Sequence, residues 1–294
     1  MMDKSETYAG RRQPAHRPSR LASVDTHAHV FERGLPLAQQ RRYAPDYDAL
    51  LDAYLAQLDA HGISHGVLVQ PSFLGTDCGY LLDALRRAPD RLRGVAVIER
   101  DCGFDTLKQM ANAGITGIRL NLIGHDDLTP DKWLSAQTLA HVRELNWHVE
   151  VHAEAAKLQD IVEPLLEADM KVVVDHFGRP DPSIGVSDAG FRRLLALAHT
   201  QRVWIKISGA YRNWPDDSGG REQMLDAFRL LKGAFGLHRM MWGSDWPNTQ
   251  FEASERFSRA LQQLHVLIPD DDERSVVLAG TPASIYMFDH ARVG

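Results

Sequence analysis

The segment Ala22-Ser-Val-Asp25-Thr-His27-Ala-His29 decides the fold. It starts apolar and β-branched, which reads as a strand, and it runs straight into imidazoles. An open doubly wound sheet usually follows its first strand with a glycine-rich phosphate turn. Here histidines stand in that place. Working outward, seven further strand-like runs follow at 66–71, 93–98, 117–122, 148–153, 171–176, 203–208 and 240–244. Between them the spacing predicts helices around 48–61, 77–88, 104–113, 131–145, 155–168, 188–199, 221–234 and 252–266, with a last one over 273–287. Strands that alternate with helices imply parallel βα units. Eight of them predict an α/β protein, a (β/α)8 TIM barrel of one domain.

The bulk properties agree. A chain of 294 residues is long for one domain but ordinary for an α/β barrel. A hydrophobic share of 44% with 24% charged residues excludes a disordered chain and a membrane-spanning one. With 33 basic against 39 acidic residues the net charge is −6, which gives no general attraction to nucleic acid or anionic lipid. An anionic substrate must therefore be held by particular arginines. Two cysteines without metal-type spacing argue against a disulfide framework and for a reducing, cytoplasmic setting. Residues 1–21, basic and proline-containing, are expected to form a mobile tail, with a nucleic-acid arm as the alternative. Residues 22–294 are expected to form the barrel, with no boundary inside it. Long loops are expected at 181–188 and 213–220.

Candidate chemistry gathers at strand ends. Side chains alternate along a strand, so His27 and His29 share a face with Asp25. The fifth strand, His148-Val-Glu150-Val-His152, puts two histidines and a glutamate on one face. The sixth ends Val-Val-Val-Asp175-His176, and the eighth ends Trp242-Gly-Ser-Asp245-Trp-Pro. In such barrels the carboxyl-terminal mouth is the catalytic face, so His27, His29, His176 and Asp245 are the expected catalytic set. His152 reads equally as a ligand or as wall. His148 and Glu150 read as a structural polar layer and Asp25 as a support for the turn. His16, His61, His65, His141, His238 and His290 read as surface or helix-flanking.

The chain resembles the amidohydrolase superfamily through this HxH, His152, His176 and Asp245. The strings Tyr43-Ala-Pro, Val69-Gln-Pro-Ser72-Phe-Leu-Gly-Thr76-Asp77, Gly117-Ile-Arg119-Leu-Asn121, Val174-Asp-His176-Phe-Gly-Arg-Pro-Asp181 and Trp242-Gly-Ser-Asp245-Trp-Pro resemble the branch of 2-pyrone-4,6-dicarboxylate, sulfomuconolactone and sugar-lactone hydrolases. The resemblance implies lactone hydrolysis with Asp245 as general base. It implies that His27, His29 and His176 polarise the carbonyl, directly or through a metal. Arg119 and Arg212 would pair with substrate carboxylate, while Tyr43, Ser72, Thr76 and Asn248 would supply hydrogen bonds. The substrate expected is a small anionic lactone, and a homo-oligomer is left open.

Two departures from the branch stand out. A second basic residue soon after the fourth-strand arginine is replaced by Leu120-Asn-Leu-Ile-Gly-His125, and His152 stands where a tyrosine is expected. With His152, a mononuclear site of His27, His29, His152 and Asp245 becomes a reading, for zinc or else manganese, against metal-free catalysis. No lysine ends the fourth strand, which argues against a dinuclear site. The alternatives to a lactonase are a metal-dependent decarboxylase or a lactone isomerase, and a non-catalytic binding barrel.

Overall fold

The computed structural model describes residues 22–126, 128–214 and 219–288. Eight parallel strands form one sheet in sequence order: β1 Val24–Ala28, β2 His65–Val69, β3 Leu92–Ala96, β4 Ile115–Asn121, β5 His148–His152, β6 Lys171–Val174, β7 Val203–Ile207 and β8 Met240–Trp242. The sheet closes between β8 and β1. Thr26 Oγ1 donates to Trp242 O at 2.8 Å, Asp245 N to His27 O at 2.8 Å and His29 N to Trp246 O at 2.8 Å. The expected (β/α)8 barrel is therefore what the chain forms.

Helices α1 Leu51–Ala60, α2 Gly79–Arg87, α3 Phe104–Ala113, α4 Pro130–Trp133, α5 Ala136–Glu144, α6 Ala155–Glu167, α7 Ala189–Ala196, α8 Gly220–Phe235, α9 Phe257–Leu267, α10 Asp271–Ser275 and α11 Thr281–Tyr286 surround it. Two expected helices are divided. The one over 131–145 breaks where Ser135 caps α5, its side chain accepting from Thr138 N. The one over 273–287 breaks at a π turn, Val276–Gly280. None of the described helices is long and apolar enough to cross a membrane. The tail at 1–21, with His16, lies outside the described residues, as do His290 and part of the loop expected at 213–220.

Alternation along the strands makes two cores. One face of β5, Val149 and Val151, packs outward with the helices, where Leu85, Leu107, Leu158 and Phe191 are fully buried. The other core fills the barrel: Val24, Val67, Val69, Val95, Val173 and Met241, plugged from the amino-terminal end by Ile285 and Tyr286 of α11. His148 packs edge-on against Tyr286, at 5.1 Å between ring centroids. His65, expected at the surface, is buried at the start of β2, with Nδ1 2.8 Å from Ser64 Oγ. The floor of the barrel is thus sealed.

Helices α6 and α7 approach to backbone distance at Gly190. A Cβ there would lie 2.4 Å from the backbone of Ala155 and Ala156, which no rotamer change relieves. Gly190→Ala is expected to cost about 1–3 kcal/mol through overpacking. A lowered urea midpoint at unchanged slope is the expected reading, and an unchanged midpoint would refute the contact.

Candidate active site

The seam between β1 and β8 builds the site. Asp25 accepts from Ser244 N at 2.7 Å, Ser244 Oγ at 2.5 Å, His27 N at 3.2 Å and Tyr54 OH at 3.1 Å. Burial pushes this carboxyl up to about 6 against those four bonds, so it remains ionised at neutral pH. Asp25 faces no cavity; it clamps the strand that carries the histidines to the turn that carries Asp245. The backbones of Asp245 and His176 are left-handed, at φ 59° and 49°, a conformation held only where the surroundings impose it. Gly209 makes room beside them, since a Cβ would lie 2.6 Å from Asp245 Oδ2 and 2.8 Å from His176 Nδ1.

Four imidazoles form an arc: His29 to His27, His27 to His176 and His176 to His152 are 5.0, 4.7 and 4.9 Å apart between centroids. Burial dominates their acidity. It pushes His29 down to about 4, His176 to about 3, and His27 and His152 well below the ordinary histidine range. All four are neutral near pH 7, and for His29 and His152 the partner fixes which nitrogen is bare. His29 Nδ1 lies 2.8 Å from Val69 O, a pure acceptor, so Nδ1 carries the proton and Nε2 is a lone pair. His152 Nδ1 lies 3.2 Å from Arg119 Nη2, a pure donor, so its proton sits on Nε2. His176 Nδ1 meets Ser208 Oγ at 2.9 Å.

Asp245 lies over the arc. Burial alone would raise its pKa, but Arg212 outweighs it, and the carboxyl stays well below the usual range. Its Oδ2 accepts from Arg212 Nε at 2.5 Å and Tyr211 OH at 2.7 Å. Its Oδ1 is buried with no hydrogen-bond partner, 3.9 Å from both His27 Nε2 and His29 Nε2. A carboxylate oxygen facing the bare nitrogen of His29 is two lone pairs opposed, an arrangement that suits a cation or a donated proton between them. Ligand atoms of His27, His176 and Asp245 lie within 4.8 Å of one another, as a metal site requires.

Among the described residues, the expected metal quartet does not fall in one group: His27 and Asp245 group with His176, His152 groups with Asp175 and His176, and His29 is in neither group, although its Nε2 lies 3.9 Å from Asp245 Oδ1.

Beneath the arc lies a buried ion network that strand-end patterns did not reveal. Lys206, in the apolar run of β7, is fully buried and donates to Glu150 Oε2, while its Nζ lies 3.1 Å from His27 Nδ1 and 3.8 Å from Asp175 Oδ1. Arg119 Nη2 and Nε reach Asp175 Oδ2 at 2.8 and 3.1 Å. Burial, reinforced by Asp175, pushes the Glu150 carboxyl up, while Lys206 and Arg119 pull it back down. Asp175 is held well below the carboxylate range: burial opposes this, but Arg119, His27 and Lys206 outweigh it.

A cavity of about 210 Å³ opens above. His29, His152, His176, Asp245, Tyr43, Ser72 and the guanidinium groups of Arg42, Arg119, Arg179 and Arg212 contribute to its wall. His27 lies just below that surface. Thr76 is off the cavity, bonded to Glu99 Oε1 at 2.5 Å, and Asn248 stands behind it, donating to Tyr211 OH at 3.2 Å. Arg42 and Arg179 arrive from loops and were not among the expected residues. Their guanidinium groups are the less engaged. Among the described residues Arg42 reaches only Asn121 Oδ1, at 3.4 Å, and Arg179 only Arg212 O, at 2.6 Å, while Arg119 and Arg212 are occupied by carboxylates of the protein itself.

Comparison with known proteins agrees with this architecture. The amidohydrolase family model matches residues 24–288. The 4-sulfomuconolactone hydrolase of Rhizobium radiobacter is 31% identical, each chain covered to 89%. A Pseudomonas putida protein assigned as a 2-pyrone-4,6-dicarboxylic acid hydrolase superimposes with a TM-score of 0.86 at 45% identity, over 93% of this chain and 100% of that one. An Acinetobacter baumannii protein of the same assignment, solved with citric acid bound, gives 0.85 at 37% identity, over 90% and 99%.

Removing one member of a buried ion network leaves the others uncompensated. Lys206→Met is expected to cost about 3–5 kcal/mol in urea unfolding. Adding Glu150→Gln, which removes the carboxylate left behind, should recover part of that loss. A double variant less stable than the single one would show that the pair is not coupled.

Proposed function

The chain belongs to the amidohydrolase family, and on that premise we propose that it opens the ring of an anionic lactone by adding water at the ring carbonyl. The observation that carries this reading is the unpartnered Oδ1 of Asp245, poised over neutral imidazoles at the inner end of a cavity walled by four guanidinium groups. One cavity thus combines a proton acceptor, groups that favour a developing oxyanion, and cations that favour a substrate anion. The relatives named for a sulfomuconolactone and a pyrone dicarboxylic acid, and the citrate held by one similar structure, support the same substrate class.

In this reading Asp245 Oδ1 takes a proton from water as its oxygen attacks the acyl carbon. It returns that proton to the ring oxygen as the acyl–oxygen bond breaks, leaving a carboxylate and a hydroxyl. Because Arg212 keeps Asp245 ionised, the base is ready without titrating. His27 and His176 polarise the carbonyl oxygen, and the Nε2–H of His152 is a further donor toward the charge that grows there. Arg42 and Arg179 hold the substrate's anionic groups and replace the basic residue absent after β4, while Arg119 and Arg212 shape the field. His27, His29 and Asp245, with His176 beside them, would hold one divalent cation, zinc ahead of manganese, supplying Lewis-acid polarisation and a more acidic water. Two free thiols, Cys78 and Cys102, suit a reducing cytoplasm.

A panel of carboxylated lactones, followed by proton release with and without chelator, tests the reaction. Asp245→Asn should lose at least about a hundredfold in kcat/KM. The products should be ring-opened acids; carbon dioxide release would instead mean a decarboxylase. Elemental analysis of purified protein after zinc supplementation tests the cation separately. Wild type and His152→Tyr should each carry one equivalent, and His29→Ala should carry none. If neither of the first two retains metal, the direct imidazole mechanism replaces the metal-assisted one.

A further inference from the structure

The hydrolytic cavity has a larger neighbour. Along β4 the pairing with β3 ends at Ala96 opposite Ile118, whereas the pairing with β5 continues to Asn121 opposite His152. The last turns of β4 therefore overhang the end of β3. The space under that overhang is a second cavity of about 370 Å³. Its distinctive wall is apolar: Val97 and Ile98 from the chain leaving β3, Leu120 from β4 and Trp133 from α4, all only half-buried. Arg41 lies at its edge.

The two cavities are continuous. Arg42, Ser72, Arg119, Asn121 and Ile123 border both, so a molecule seated against the guanidinium groups of the first extends directly into the second. Their balance differs. The first is lined chiefly by cations and imidazoles; the second sets that aliphatic and indole wall against a polar side made by Gln40, Arg41, His125 and the shared Arg42, Arg119 and Asn121. A compact ring bearing only acid groups would fill the first and leave the apolar recess wet. Together the volumes reach the range of about 300–1,000 Å³ that suits a substrate larger than such a ring.

We propose that the recess under the β4 overhang is a second subsite that takes an apolar substituent of the substrate, so that the preferred lactone is amphiphilic. Its anionic ring lies over Asp245, and its aliphatic or aromatic arm lies between Ile98, Leu120 and Trp133. This rests on the lactonase reading for the ring, while the recess and its apolar wall stand independently of it.

Two measurements separate the ideas. Turnover is compared for a carboxylated lactone and the same ring bearing a phenylethyl arm. Binding is compared by calorimetry for butyrate and 4-phenylbutyrate, which need no chemistry. Wild type should favour the arm-bearing member of each pair by tenfold or more, as expected when a hydrophobic pocket gains several carbons. Ile98→Trp, which fills the recess, should erase the preference and leave the compact lactone's kcat/KM within twofold. Ile98→Ser, which keeps the space but not the apolar wall, should reduce the preference, and both variants should melt like wild type. Phenylbutyrate preferred while neither lactone turns over would overturn the lactonase reading and keep the subsite. Equal binding of the two acids, or a preference that survives Ile98→Trp, overturns the subsite.

Discussion

The clamp of Asp25 on Ser244 is the constraint on which the rest of the structure depends. A parallel barrel must close between its first and last strands, and β8 is only three residues long. Beyond Trp242 the seam is held by two backbone bonds, Asp245 N to His27 O and His29 N to Trp246 O, and by the Asp25 carboxylate, which takes the backbone N–H and the hydroxyl of Ser244 together with the N–H of His27. One acid therefore aligns the strand carrying His27 and His29 with the turn carrying Asp245. The 3.9 Å spacing from Oδ1 to both imidazoles follows from that alignment.

Electrostatics then divides the mouth into layers. Lowest is a network of Lys206, Glu150, Asp175 and Arg119, in which opposite charges satisfy one another out of water. Above it the imidazoles are neutral because burial disfavours their charged form. At the surface Arg42 and Arg179 have, among the described residues, no carboxylate bonded to them as Asp175 and Asp245 are bonded to Arg119 and Arg212. A net-negative chain thus presents a locally positive cavity, as the proposed anionic substrate requires.

The barrel was legible because strand period, helix period and the strand-end histidines all agreed. His27, His29, His176 and Asp245 were legible for the same reason: each ends an apolar run, where only a mouth position is available. Lys206 was not, because it sits inside Val203-Trp-Ile-Lys-Ile, which reads as plain strand. The usable signal was its inward register together with Glu150 on β5, since a lysine inside a barrel demands a carboxylate. Arg42 and Arg179 come from loops, whose course no periodicity reports. The position of His152 followed from its strand, but the bond between its Nδ1 and Arg119, a tertiary contact, left no mark in the sequence.

The central claim is that Asp245 delivers water to the acyl carbon of a lactone. Single-turnover hydrolysis in heavy-oxygen water tests it most directly, with the product read by mass spectrometry after fragmentation. The account predicts one labelled oxygen in the newly formed carboxylate and none in the hydroxyl. Label in the hydroxyl, which means cleavage on the alkyl side of the ring oxygen, or product formed without label, would contradict it.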